Sequence, residues 1–326
     1  MMKRRDFIAS TVALAGSRLP AFGQSAPSAF PNRNIKMVVP FAAGGGVDVF
    51  ARLLAERLKE QTGTNIIVEN RGGANGTLGG MAVRQADPDG TTVLFSAATH
   101  LMAQHVMKSA PYDPIAEFTA IARVGEAPML LVMAPKLPQS TIVDVVADAR
   151  KQPDKWIFAT AALGAPGHLA TILFNKLSGL NLTIAPYRGT APGLTDVAAG
   201  HVQLMIDPIL ALLPMAQGGN VKALAVTSAK RSALAPDIPT AAESGMPGLE
   251  HATWYGVWGP KGIPDSTVNA LNEAINSAIK SLATDGRLTK LGIEPVVETP
   301  AAFAEFSKKD LARNADLLKT ANFQPV

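Results

Sequence analysis

The sequence predicts an α/β protein of two domains with mainly parallel sheets. Three observations carry this. Short β-rich runs alternate with segments of helical periodicity. The chain has 326 residues, more than the roughly 250–300 at which one hydrophobic core stops growing. Its composition, 47% hydrophobic and 17% charged, is that of a packed chain rather than a disordered one.

Taken in order, Ile35 to Pro40 reads as a buried strand, and Asp48 to Gln61 as a helix with the apolar stripe Phe50, Leu53, Leu54 and Leu58. Strands follow at Asn65–Glu69 and Thr92–Ser96, with a short helix near Thr77–Gln85 between them. A second series contains strands at Met129–Ala134, Ile157–Thr160, Thr183–Pro186, Val202–Ile206 and Lys222–Val226. Helices at Thr141–Arg150, His168–Leu177 and Thr190–Ala198 separate most of these, so two sheets are expected. Trp254–Trp258 reads as an apolar strand, followed by two long helices. The first opens at Asp265-Ser266; the second opens at Thr299-Pro300, a cap with proline in the first helical position.

The N-terminus reads as an address. Lys3-Arg4-Arg5 precedes a short apolar run from Phe7 to Gly16, and small residues follow at Ala21-Phe22-Gly23. That is the layout of a cleaved export signal, and it places residues 1–23 outside the mature protein, in the periplasm's export route. Arg4-Arg5 followed by Asp6-Phe7-Ile8 resembles a twin-arginine signal; an ordinary secretory signal with two adjacent arginines is the alternative. Without residues 1–23 the chain has 26 basic and 25 acidic residues, so no basic surface for nucleic acid is expected. Cysteine is absent, which excludes disulfides and thiolate ligands.

Two glycine-bearing loops carry the functional signal. Phe41-Ala42-Ala43-Gly44-Gly45-Gly46-Val47-Asp48 joins a strand to the start of a helix. There, free backbone N–H groups sit at the positive end of the helix dipole, and glycine lets an anion approach the main chain. Thr160-Ala161-Ala162-Leu163-Gly164-Ala165-Pro166-Gly167-His168 lies at the equivalent junction of the later series. Facing each other across a cleft, the two would hold one small carboxylate. Glycines that merely make tight turns are the structural alternative. The spacing fits neither a dinucleotide fingerprint nor a phosphate loop.

Enzymatic readings find no support in these residues. No nucleophile–base pair, G-x-S-x-G elbow or metal-ligand set can be assembled, so neither catalysis nor a cofactor or metal is expected. His100 and His105 lack the helical spacing of a zinc pair. His168 is expected to order the second loop or cap its helix, and Asp48 to bond free N–H groups in the first helical turn.

The blocks Val39 to Asp48, Val68 to Ala74, Pro88-Asp89-Gly90, Tyr112-Asp113-Pro114, Gly167 to Ala170, Pro186 to Gly189, Leu224 to Thr227 and Ile238-Pro239-Thr240 closely resemble, in order, those of the Bug, or tripartite tricarboxylate transporter, solute-receptor family. The resemblance runs from about residue 31 to the C-terminus. It implies a type II periplasmic-binding-protein-like fold, with two α/β lobes and a ligand cleft between them. Lobe one would be 31–128 plus 253–326, and lobe two 129–252. It further implies a monomeric receptor that captures a small carboxylate through the two loops, with Thr77 and Asp207 added. Its partner would be the permease subunits of such a transporter, or else a membrane sensor.

The sequence also departs from its relatives. Val47 stands where they commonly have threonine, Ala162 where glycine is usual, and Ala165 where serine is usual. Two hydroxyl donors are lost, and an unpaired buried charge is costly. The expected ligand has one strongly held carboxylate and a comparatively apolar or aromatic body, in preference to citrate.

Overall fold

A computed structural model describes residues 30–31 and 33–326; the expected export segment, 1–23, lies outside the described residues. The chain runs β1 (Ile35–Val39), α1 (Gly46–Thr62), β2 (Ile66–Asn70), α2 (Thr77–Arg84), β3 (Thr92–Ala97), α3 (Ala103–Val106) and β4 (Phe118–Met133). It continues α4 (Ile142–Lys151), β5 (Ile157–Thr160), α5 (Pro166–Ser178), β6 (Thr183–Pro186), α6 (Thr190–Ala199), β7 (Leu204–Pro208), α7 (Ile209–Gln217) and β8 (Lys222–Val226). It ends β9 (Ala252–Pro260), α8 (Asp265–Thr284), β10 (Glu294–Pro295) and α9 (Pro300–Thr320).

The strands form one hydrogen-bonded path, β2-β1-β3-β9-β4-β7-β5-β6, with β8 and β10 attached to β4. The path consists of the two expected sheets, β1, β2, β3, β9 and β10 in one and β5, β6, β7 and β8 in the other, made continuous by β4, which belongs to both. β4 is 16 residues long, pairing with β9 over Phe118–Pro128 and with β7 and β8 over Met129–Met133. Its first eleven residues escape sequence reading because Arg123, Gly125, Glu126 and Pro128 interrupt the apolar alternation. α7 was not anticipated either, being apolar on nearly every side and carrying Pro214. β7 lies two residues later than expected.

Each half of the path has its own core. α1 and α8 press Phe50, Leu54, Ile275 and Ile279 against Val39, Phe95 and Tyr255. Phe50 meets Phe95 and Tyr255 edge to face, at centroid separations of 5.4 and 5.2 Å, a favoured aromatic geometry. In the other half, α4 and α5 cover one face of the sheet around Phe158, Phe174 and Ile206, and α6 and α7 cover the opposite face around Met205 and Leu212. α9 packs on β4 and on α5. It is fastened by Asp310, which accepts a hydrogen bond from Trp254 Nε1 at 3.1 Å.

Candidate functional site

β1 leads into α1 through Pro40–Gly45, and β5 into α5 through Ala161–Ala165. α1 has Gly45 as its N-cap and α5 has Ala165, and neither is capped by a side chain. Their leading N–H groups are therefore left for another acceptor. These two helix starts line one cleft of about 590 Å³ that opens to solvent. The starts of α6 and α7 reach the same cleft through Gly189, Thr190, Ala191 and Pro208. Four helix N-termini thus converge on one volume, each contributing the positive end of a dipole. None of the lining residues is lysine, arginine or histidine. The attraction for an anion comes from backbone alone.

Of the residues expected to form the site, Phe41, Ala42, Ala43, Gly45 and Gly46 line the cleft from the first loop, and Ala161, Ala165 and Asp207 from the opposite side. Gly44, Asp48, Thr77, Thr160, Ala162, Leu163, Gly164 and His168 are not among the lining residues. Most of these support it from behind. Asp48, 3% exposed, accepts from Gly44 N at 2.9 Å and Arg52 Nε at 3.0 Å through Oδ2, and from Asn70 Nδ2 at 2.9 Å through Oδ1. Burial alone would raise its pKa. The hydrogen bonds from Arg52, Gly44 and Asn70, with the Arg52 charge, outweigh that and hold the carboxyl below its usual range. Asp48 is the brace that shapes the first loop.

His168 does the same for the second. Its Nδ1 accepts a hydrogen bond from Gly164 N at 3.0 Å, and burial pushes its pKa down to about 4, so the ring is a neutral imidazole. Phe323 meets the ring edge to face at 5.1 Å. Gly164 has φ +73°, and a Cβ there would fall 2.6 Å from Met102 Cβ, so that glycine serves a close approach between segments rather than the ligand wall. Thr77 Oγ1 donates to Ala74 O at 2.6 Å, and Thr160 Oγ1 to Ala162 O at 3.4 Å. The segment before α2 is joined directly to the second loop, by Asn75 Nδ2 donating to Leu163 O at 2.6 Å.

Ala97, Thr99, Gly189, Thr190 and Thr253 line the cleft as well, and of these only Gly189 lies in one of the blocks that resemble the family, Pro186 to Gly189. Thr190 carries a usable signal, since it opens a helix after Arg188-Gly189, the same grammar as the two recognised loops. Thr99 and Thr253 carry none, because a threonine in the turn after β3 and another near the start of β9 become wall residues only when β3 and β9 are brought side by side.

Asp207 sits on the cleft wall and is 2% exposed. Thr190 Oγ1 donates to its Oδ2. Burial pushes its pKa up to about 7, against the smaller downward pull of that hydrogen bond. Tyr255 lies close by, its phenol pKa raised by burial and by the Asp207 charge.

A mixed α/β frame whose helix N-termini meet at a solvent-open cleft suits a protein that binds a small anionic solute. Residues 50–323 match the Tripartite tricarboxylate transporter family receptor, and the chain belongs to that family. Protein BugT of Bordetella pertussis is 34% identical over 313 residues, covering 94% of this chain and 96% of BugT. Among solved structures, the periplasmic binding protein BugD superposes with a TM-score of 0.85 at 36% identity, covering 91% of this chain and 100% of BugD. R. palustris Rpa4515, solved with adipate, superposes at 0.87 with 35% identity, covering 91% of this chain and 99% of that one. The family's members are binding proteins, and this chain is one of them rather than an enzyme.

Proposed function

We propose that the protein is a periplasmic receptor that captures a small carboxylate in the cleft and presents it to the permease subunits of a tripartite tricarboxylate-type transporter. One observation carries the carboxylate reading. Four helix N-termini face a cleft that has no cationic side chain of its own, an arrangement suited to one compact anionic group held by main-chain N–H groups. The adipate bound by Rpa4515 agrees with it. Periplasmic location is supported by the basic and apolar N-terminal segment and by BugD. The division into lobes at 128/129 is supported by the change of β4 partners at Met129, and the return near 252/253 by β9, which pairs with lobe one from Ala252 onward.

Within that class, the ligand carries one strongly held carboxylate on a largely uncharged body. Val47 and Ala165 place methyl groups on the wall where a hydroxyl would serve a second anion, and Phe41, Ala42 and Ala97 add apolar surface. Thermal-shift screening followed by calorimetry tests this, with aliphatic and aromatic monocarboxylates, dicarboxylates and citrate as the panel. A monocarboxylate or an extended, weakly polar carboxylate should bind tightest. Citrate as the tightest ligand contradicts the specificity, and no binding by any carboxylate contradicts the function.

A further inference from the structure

Asp207 has an unusual position for an acid in an anion-binding cleft. It lies on the wall, is 2% exposed, and has one hydrogen-bond donor, Thr190 at the start of α6. No cation faces it. β7 holds no other titratable residue, and neither do β5, α7 or residues 129–133 of β4, which pack against it. On α5, His168 is neutral and engaged by Gly164, and Lys176 reaches Thr320. On α6, Asp196 is engaged by Tyr187 and His201. Tyr255 of β9 stays a neutral phenol. An ionised Asp207 would therefore share a low-dielectric cavity with the ligand carboxylate and have no counter-charge between them.

Two carboxylates confined in that way repel each other, and sharing a proton relieves the repulsion. We propose that Asp207 is the proton-carrying residue of the cleft: it takes up one proton from solution as a carboxylate enters and, as a carboxylic acid, donates a hydrogen bond to the ligand. The inference rests on the carboxylate reading above. Burial already places the Asp207 pKa at about 7, so the free protein is divided between its two forms near neutrality. A bound negative charge raises that value further. The sign follows: below neutrality Asp207 is already protonated and binding takes up little; above it, binding must draw a proton, and affinity falls as pH rises. In specificity terms, Asp207 favours ligands that leave it facing a carboxylate or another acceptor, and a ligand ammonium group would instead hold it ionised.

Calorimetric titration with adipate and hexanoate tests this, in phosphate and in Tris at pH values from about 6.5 to 8.5, where carboxylates of pKa about 4–5 do not themselves titrate. The two buffers differ in protonation heat, so the difference counts protons. The expected result is about one proton taken up per ligand near pH 8, with affinity falling up to tenfold per pH unit. Asp207→Asn should show no uptake, and its affinity should not vary over this range. Ligand binding to the wild type without proton uptake overturns the proposal, as does an Asp207→Asn variant that still takes up the proton. If the variant does not fold, the wild-type proton count decides alone. Failure of adipate, hexanoate and the wider carboxylate panel to bind at any pH would instead remove the carboxylate reading, and this proposal with it.

Discussion

Glycines that look alike in the sequence separate once their surroundings are known. Gly45 has φ −76° and ψ 165°, which any residue adopts, and a Cβ there would approach nothing nearer than Ala42 O at 3.7 Å. Gly45→Val should therefore leave stability within about 0.5 kcal/mol of the wild type, yet place its methyl groups in the cleft. Its affinity for the tightest panel carboxylate should drop at least about tenfold by calorimetry. Gly164 behaves in the opposite way. With φ +73° and Met102 Cβ 2.6 Å from its would-be Cβ, Gly164→Val should cost about 1–3 kcal/mol in a urea melt. Both glycines were legible as members of strand-to-helix junctions. Their separate tasks were not, because what distinguishes them is a neighbour distant in sequence. The role of His168 was legible for the converse reason, since it bonds a backbone N–H four residues away; Asp48 also reaches back four residues, but to Gly44 N in the loop and not to the first helical turn where the sequence placed its partners.

At the scale of elements, the helices that open the site were readable from short-range grammar: glycine, a helix start and an apolar stripe. The second half of that grammar was less visible. α7 has no polar face to give it a period, and in the first part of β4 the buried residues Ile121, Ala122, Val124 and Ala127 are interrupted by Arg123, Gly125 and Glu126, so no clean alternation marks the strand. The hydrogen bond from Asn75 to Leu163 O joins the segment before α2 to the loop before α5. Asn75 also holds φ 58°, a conformation that asparagine tolerates better than most residues. Asn75→Ala should weaken that joint, raising the ligand dissociation rate in stopped-flow measurements about five- to tenfold while slowing association little. An unchanged dissociation rate would show that the joint contributes nothing to retention.

Over the whole molecule, buried titratable groups set a pH dependence of stability. His100 and His168 are held neutral, with pKa values pushed down by burial to about 3 and about 4, and half-buried His251 acts in the same direction. Unfolding releases them to values near 6.5, so the unfolded chain binds protons that the folded chain refuses, and stability is lost as pH falls from about 6.5 toward 4. Asp207 works the other way, because its raised pKa makes the folded chain the better proton binder up to about pH 7. The two fully buried histidines, His100 and His168, against the one aspartate proton give a net loss of about 1.4 kcal/mol per pH unit near pH 5, and His251 adds to it. The melting temperature of the free protein should therefore fall between pH 6.5 and 5; a flat profile would mean that these rings are not buried in solution.

The central claim is that the cleft is a clamp whose two walls, one beginning at α1 and the other at α5 and α6, come together on a carboxylate. A ligand bridging both walls gives the closed form contacts that an open form lacks, and so shifts the population toward it. Small-angle X-ray scattering of the protein, with and without a saturating amount of the tightest carboxylate from the panel, measures this directly. The account predicts a smaller radius of gyration in the presence of ligand. An unchanged radius with the site fully occupied would contradict it.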